Sequence, residues 1–172
     1  LYPRLILDLG SGTGDMAMAL SEHCPQARVA AVDFSPDMLA FCRRKLGRRK
    51  PPPRVSLFVG DVLNLPFADN QFDLAAIAFC LRNLERPRAA LLEAARVVRP
   101  GGWVIAVEVT LPQGKFWMWP YRLYFHYLLP RIGAAVSRVP GAYKYLRDSI
   151  VRFSSRFPLP DLMQQAGLSL IR

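Results

Sequence analysis

Leu5-Ile6-Leu7-Asp8-Leu9-Gly10-Ser11-Gly12-Thr13-Gly14-Asp15 decides the fold of this chain. Its first five residues form a short, nearly continuous apolar run, as expected of a parallel strand buried on both faces. Three glycines then let the backbone turn sharply and pass close to a ligand. Asp15 to Glu22 follows with Met16, Ala17, Ala19 and Leu20 on one face, the spacing of an amphipathic helix. A strand that turns through glycines into a helix offers unpaired N–H groups and a positive dipole end at its carboxyl edge. In an open α/β sheet, that edge is where ligands bind.

The same alternation continues outward. Arg28 to Asp33 reads as a second strand, and Ser35-Pro36 as the cap and first turn of a helix over Asp37 to Leu46. The basic, proline-rich Arg48-Arg49-Lys50-Pro51-Pro52-Pro53 cannot continue that helix. Val55 to Asp61 is a third strand and Phe72 to Leu81 a fourth. Arg88 to Val98 is a helix stopped by Pro100-Gly101-Gly102, and Trp103 to Thr110 a fifth strand. Strands alternating with helices of this length imply βαβ units, right-handed crossovers and one mostly parallel sheet flanked by helices.

After the fifth strand the composition changes. Between residues 115 and 157, Phe116, Trp117, Trp119, Tyr121, Tyr124, Phe125 and Tyr127 are interleaved with Arg122, Arg131, Arg138, Lys144 and Arg147. This segment is expected to be a helical lid inserted into a single domain spanning 1–172. Leu159 to Ala166 reads as one more helix, and Leu168 to Ile171 as the start of a strand. The last strands of the sheet are then truncated, leaving a fragment at both ends.

A chain of 172 residues, 52% apolar, has the length and composition of one globular domain. Its three cysteines, Cys24, Cys42 and Cys80, are widely spaced. That excludes a disulfide framework, leaves no metal site expected, and suits a reducing cytoplasm. Charged residues and prolines break the most apolar stretch, Phe116 to Ile132, so no membrane span is expected. The net charge of +10 suggests contact with an anionic surface, although charge speaks to association and not to fold.

The glycine turn narrows the ligand. A dinucleotide fingerprint is G-x-G-x-x-G, whereas here the third glycine comes one residue early, as Gly10-x-Gly12-x-Gly14, with Asp8 preceding it. This pattern resembles the class I methyltransferase motif, which implies S-adenosylmethionine, a cofactor with a carboxylate, an ammonium group and a ribose but no phosphate. Asp33 is placed to accept from both ribose hydroxyls. Asp61 can take the exocyclic adenine amine, the Val62 N–H can meet a ring nitrogen, and Phe34 and Met38 can form the apolar slot for the base.

Longer stretches resemble one family, the ubiquinone/menaquinone biosynthesis C-methyltransferases. They include Asp33-Phe34-Ser35-Pro36-Asp37-Met38-Leu39, Leu65 to Asp73, Phe79-Cys80-Leu81-Arg82-Asn83, Arg96 to Gly102, and Tyr124 to Gly133. The L-R-N tripeptide and the H-x-L-P-R-I-G-type run are the most specific. Carried over by position, the family's cofactor contacts fall on Thr13, Asp33, Asp61 and Val62. Two departures stand out: Ala78 replaces a serine that some members use, and Cys80 stands where glycine is expected.

The resemblance implies methylation of a ring carbon on a prenylated quinol. Carbon becomes nucleophilic when a phenol nearby on the ring loses its proton. Arg82 and Asn83 lie beyond the fourth strand, where they can stabilise that charge, Arg82 as a permanent cation and not as a base. Water, His126 or a carboxylate such as Glu108 would take the proton. The competing readings are a surface Arg82 paired with Glu85, a packed helical His126, and Cys80 as a small core residue.

No nucleic-acid partner is expected. The N/D-P-P-aromatic run of amino-methylating enzymes is replaced by Leu81-Arg82-Asn83-Leu84, and no Pro-Cys pair occurs. The alternatives are another small-molecule acceptor, RNA after all, or a domain that binds the cofactor without turnover. The expected location is cytoplasmic, with peripheral contact at the inner face of the membrane.

Overall fold

The computed structural model describes residues 2–50, 53–111 and 141–170. Two compact units emerge, one comprising residues 1–108 with 162–172, the other 109–161.

The first unit is built on five parallel strands in the order β3-β2-β1-β4-β5. These are β1 (Leu5–Leu9), β2 (Arg28–Asp33), β3 (Val55–Val59), β4 (Phe72–Ala78) and β5 (Val98–Val107). Three helices connect them: α1 (Asp15–His23), α2 (Pro36–Leu46) and α3 (Pro87–Val97). Strand order reverses between β1 and β4, and at such a switch point the two flanking crossovers diverge and open a crevice. Ser35 caps α2 as expected, its hydroxyl accepting from the Met38 N–H, with Pro36 in the first turn.

The central strands carry the core. Ile6, Val29, Ala31, Leu74 and Ala76 share one face, into which α1 inserts Ala17. Small residues at these positions let the helix approach the sheet closely, and near-complete exclusion of water from Ile6, Leu7, Leu9 and Ile77 supplies the main stabilisation. β3 and β5, the outer strands of the described sheet, are more exposed.

Several boundaries differ from those the sequence suggests. The fourth strand ends at Ala78, not Leu81, because Phe79 adopts a left-handed φ of 56° that turns the chain. Its N–H still donates to the Val107 carbonyl at 2.8 Å before Leu81–Asn83 forms a single 3₁₀ turn. The third strand stops at Val59, and Asp61 makes an isolated bridge to Asn64.

The Pro-Gly-Gly run does not stop α3, since the helix passes directly into β5 at Val97–Val98. Those residues instead form a bulge between the Phe72–Val98 and Leu74–Trp103 pairs. A Cβ on Gly102 would lie 2.8 Å from the Asp73 carbonyl oxygen, so only glycine fits there.

In the second unit, α4 (Ala142–Arg156) carries Lys144, Arg147, Arg152 and Arg156. Ile150 and Phe153 are buried, and the Leu111 N–H donates to the Ser154 hydroxyl at 2.9 Å. The rest of the expected helical segment, 115–140, lies outside the described residues. A further helix, α5 (Leu159–Gln165), is followed by Gly167 at φ 78°. Residues 168–170 are not a strand, and 171–172 lie outside the described residues. No described helix is long and apolar enough to cross a membrane.

Candidate functional site

The glycine turn after β1 is fixed from three sides. Gly10, Gly12 and Gly14 all have positive φ. The Ser11 N–H donates to the Val32 carbonyl at 2.9 Å, tying the turn to β2, and the Gly14 N–H donates to the Ser11 carbonyl at 2.8 Å. Close packing accounts for two of the glycines independently of φ. Gly10 lies against the Cys80 side chain and Gly14 against Cys42, where any Cβ would overlap the sulfur.

Asp8, at the end of β1, is 1% exposed, and its Oδ2 has no hydrogen-bond partner among the described residues. Burial raises its carboxyl to about 7, a backbone bond from Ala17 opposes the rise, and the Asp33 charge adds to it. Ser11 is buried as well, its Oγ without a partner among the described residues. Two orphaned oxygens beside a strand-end turn suit a ligand that brings donors or positive charge. They do not suit a pyrophosphate, which Asp8 and Asp33 would repel.

Asp33 bridges β1 and α2. One carboxylate oxygen accepts the Gly12 N–H at 2.7 Å, and the other accepts the Ser35 N–H at 2.8 Å. An ionised carboxylate has about four lone-pair sites, so one on each oxygen remains for ribose hydroxyls. Phe34 is 79% exposed beside it and Met38 is also exposed, apolar surface left open next to the sugar position. Asp61 is exposed, its Oδ1 accepting the Leu63 N–H at 2.8 Å, while Val62 is buried. Thr13 donates to Asp15 at 2.7 Å and accepts from Lys45 at 3.0 Å. A cationic, phosphate-free nucleoside therefore fits this edge.

The second candidate cluster lies beyond β4 and β5. The competing reading of Arg82 named Glu85 as its partner, but the structure pairs it with Glu108 at the end of β5. Glu108 Oε2 accepts from Arg82 Nη1 at 2.9 Å and Oε1 from the Arg82 backbone N–H at 3.3 Å. The Glu108 side chain has 0% exposure, so this carboxylate is committed to the pair and is not a free proton acceptor. Arg82 Nε is buried without a partner among the described residues.

The Arg82 guanidinium carbon lies 5.7 Å from the centre of the Phe79 ring, and Asn83 Nδ2 donates to the Phe79 carbonyl at 3.3 Å. The Cys80 thiol is pushed up to about 11, chiefly by burial with Asp33 and Glu108 adding, so it stays protonated at neutral pH. His126 lies outside the described residues.

A Rossmann-like parallel sheet, a G-x-G-x-G turn and acidic residues ending the first two strands together define a class I S-adenosylmethionine-dependent methyltransferase. The sequence profile of the ubiE/COQ5 methyltransferase family matches residues 1–172, and the chain belongs to that family.

Among similar proteins, a demethylmenaquinone methyltransferase from Thermus thermophilus is 42% identical over 169 residues, covering 98% of this chain and 76% of the relative. A ubiquinone/menaquinone biosynthesis C-methyltransferase UbiE from Cereibacter sphaeroides is 32% identical, covering 97% and 67%. A SAM-dependent methyltransferase from Aquifex aeolicus shares the fold, with a TM-score of 0.58 at 23% identity over 65% of this chain and 60% of its own.

Three features went unread in the sequence: the Arg82–Glu108 pair, the left-handed Phe79, and the role of Arg96. Arg96 pairs with Glu93 and Asp69 and donates to the carbonyls of Leu65 and Phe67, which fixes the segment leading into β4. Glu108 did leave a signal, since an acid in the apolar strand-end run Val107-Glu108-Val109 must find a partner if buried.

Proposed function

We propose that this methyltransferase methylates a ring carbon of a prenylated quinol in quinone biosynthesis, a reading supported by relatives named demethylmenaquinone methyltransferase and ubiquinone/menaquinone biosynthesis C-methyltransferase. S-adenosylmethionine, when bound, supplies an electrophilic methyl group on sulfur. In this reading Gly10, Gly12, Thr13 and Gly14 receive the amino-acid end of the cofactor, with Asp8 balancing its positive charge. Asp33 holds the ribose, Phe34 and Met38 cover the adenine, and Asp61 and Val62 bind its polar edge.

Arg82 and Asn83 act on the acceptor. Arg82 stabilises the phenolate that makes the ring carbon nucleophilic, and Asn83 orients it. The proton goes to water or His126, because Glu108 is engaged. A phenolate beside a fixed, poorly hydrated guanidinium is favoured over phenol far more than in bulk water. The observation that carries this reading is the buried Nε of Arg82, a donor in the turn after β4 with no acceptor among the described residues.

We extend the proposal to a peripheral, cytoplasmic-face contact with anionic membrane, supported by the net charge of +10 and the four cations on α4. Flotation with anionic vesicles at low salt tests the contact, and absence of binding removes it. Incubation of the full chain with methyl-labelled cofactor and demethylated naphthoquinol or benzoquinol tests the reaction. Label is expected on ring carbon in at least one of them, and label in neither overturns the proposal.

A further inference from the structure

We infer that Glu108 is a positioning residue that fixes the Arg82 guanidinium for catalysis, an inference that rests on the role assigned to Arg82 above. A single guanidinium–carboxylate contact leaves an arginine free to swing about its long stem. Here Glu108 accepts from both the main chain and the side chain of one residue, at 3.3 and 2.9 Å. Holding the guanidinium against a carboxylate that is itself tied to the Arg82 main chain restricts the rotamers open to the side chain.

Three further contacts narrow the arrangement. The Phe79 ring lies 5.7 Å from the guanidinium carbon. The Phe79 N–H is bonded to the Val107 carbonyl, next to Glu108 in sequence. The 3₁₀ turn fixes the Arg82 backbone. The donor left over, Nε, is buried and unpartnered among the described residues, so its direction is set before any acceptor arrives.

Such preorganisation matters because a cation that must reorient during the reaction loses much of its stabilising effect. Removing a partner from a buried pair is costly to stability, so a bare loss of activity in one variant would not separate positioning from folding. The test therefore combines kinetics with a direct view of the arginine, using the full chain.

Glu108→Gln is expected to lower kcat by about tenfold or more while cofactor affinity stays within about twofold. Gln also removes a negative charge whose loss by itself favours phenolate, so the pH profile is read in Glu108→Asp, which keeps that charge. Arg82→Ala and Arg82→Ala/Glu108→Gln should agree in kcat within about twofold, since Glu108 acts only through Arg82. In nitrogen-15 NMR the Arg82 Nε–H signal should be ordered and slow to exchange in the wild type, and lose both properties in Glu108→Gln.

Unchanged kcat, additive losses in the double variant, or an unaltered Nε–H signal each overturn the inference. Should Glu108→Gln fail to fold, Glu108→Asp keeps the charge but draws it back by one methylene. It must lower kcat in smaller measure and move the acid limb of the kcat profile to higher pH, because a loosely held Arg82 stabilises phenolate less well, and a wild-type profile overturns the inference. Failure of the wild type to methylate any quinol would sink the substrate reading alone, and the Nε–H comparison would still decide the role of Glu108.

Discussion

The carboxylate of Asp33 accepts the Gly12 N–H through one oxygen and the Ser35 N–H through the other, at 2.7 and 2.8 Å, so the last side chain of β2 holds both the turn after β1 and the cap of α2. Losing it removes ribose acceptors and unties the glycine turn together. Asp33→Ala should weaken binding of S-adenosylmethionine by about 10- to 200-fold, the equivalent of one or two charged hydrogen bonds. Calorimetry checks this, and wild-type affinity in the variant would remove Asp33 from the cofactor site.

Asp8 makes a pH-dependent prediction. Its carboxyl lies at about 7 in the folded chain against 3.8 in the reference state. As pH rises through this window the unfolded chain ionises first, so Asp8 costs stability progressively, on the order of 4 kcal/mol in all, and the cost levels off above the folded value. Asp8→Asn should flatten the fall in urea stability between pH 4 and 7. A cationic ligand favours the ionised form, so wild-type affinity for S-adenosylmethionine should rise between pH 6 and 8. A flat profile in the wild type would contradict the assignment.

Asp73 behaves oppositely. Its Oδ2 accepts the N–H groups of Arg4 and Leu5 at 2.6 and 2.9 Å, and its Oδ1 accepts Arg99 Nε at 2.6 Å, which lowers its carboxyl below the usual range, chiefly through the Leu5 bond. The stability it contributes is present above its unfolded value and is lost as pH falls through the folded one. Asp73→Ala should cost about 2–3 kcal/mol near neutrality, measured by urea titration, with less difference from wild type in strong acid.

Gly14→Ala meets two obstacles, a φ of 83° and the Cys42 sulfur. It should destabilise the fold by about 2–4 kcal/mol. Adding Cys42→Ala should recover only the steric part, because the backbone strain persists. Full recovery in the double variant would mean that packing alone requires the glycine.

What the sequence revealed follows from the range of the forces involved. The strand-turn-helix around Gly10 to Gly14, the Ser35 cap and the strand-end aspartates are local features, and all stand where residue type and spacing put them. Phe79 is different, for nothing in Ala78-Phe79-Cys80 announces a left-handed aromatic, whose backbone is held by a bond to Val107. The Arg82–Glu108 pair spans 26 positions and depends on the parallel register that sets Ala78 against Val107. The Pro-Gly-Gly run misled because a helix stop and a strand bulge require the same glycines.

The direct passage from α3 to β5 has a mechanical consequence. With no connecting residue at Val97–Val98, and Asp73 stitching the starts of β1 and β4 to Arg99, this corner of the sheet offers no hinge. The opposite rim is built differently, from loops that carry Phe34, Asp61 and Phe79. The frame thereby acts as a rigid mount for the Phe79–Arg82 turn, which follows directly from β4.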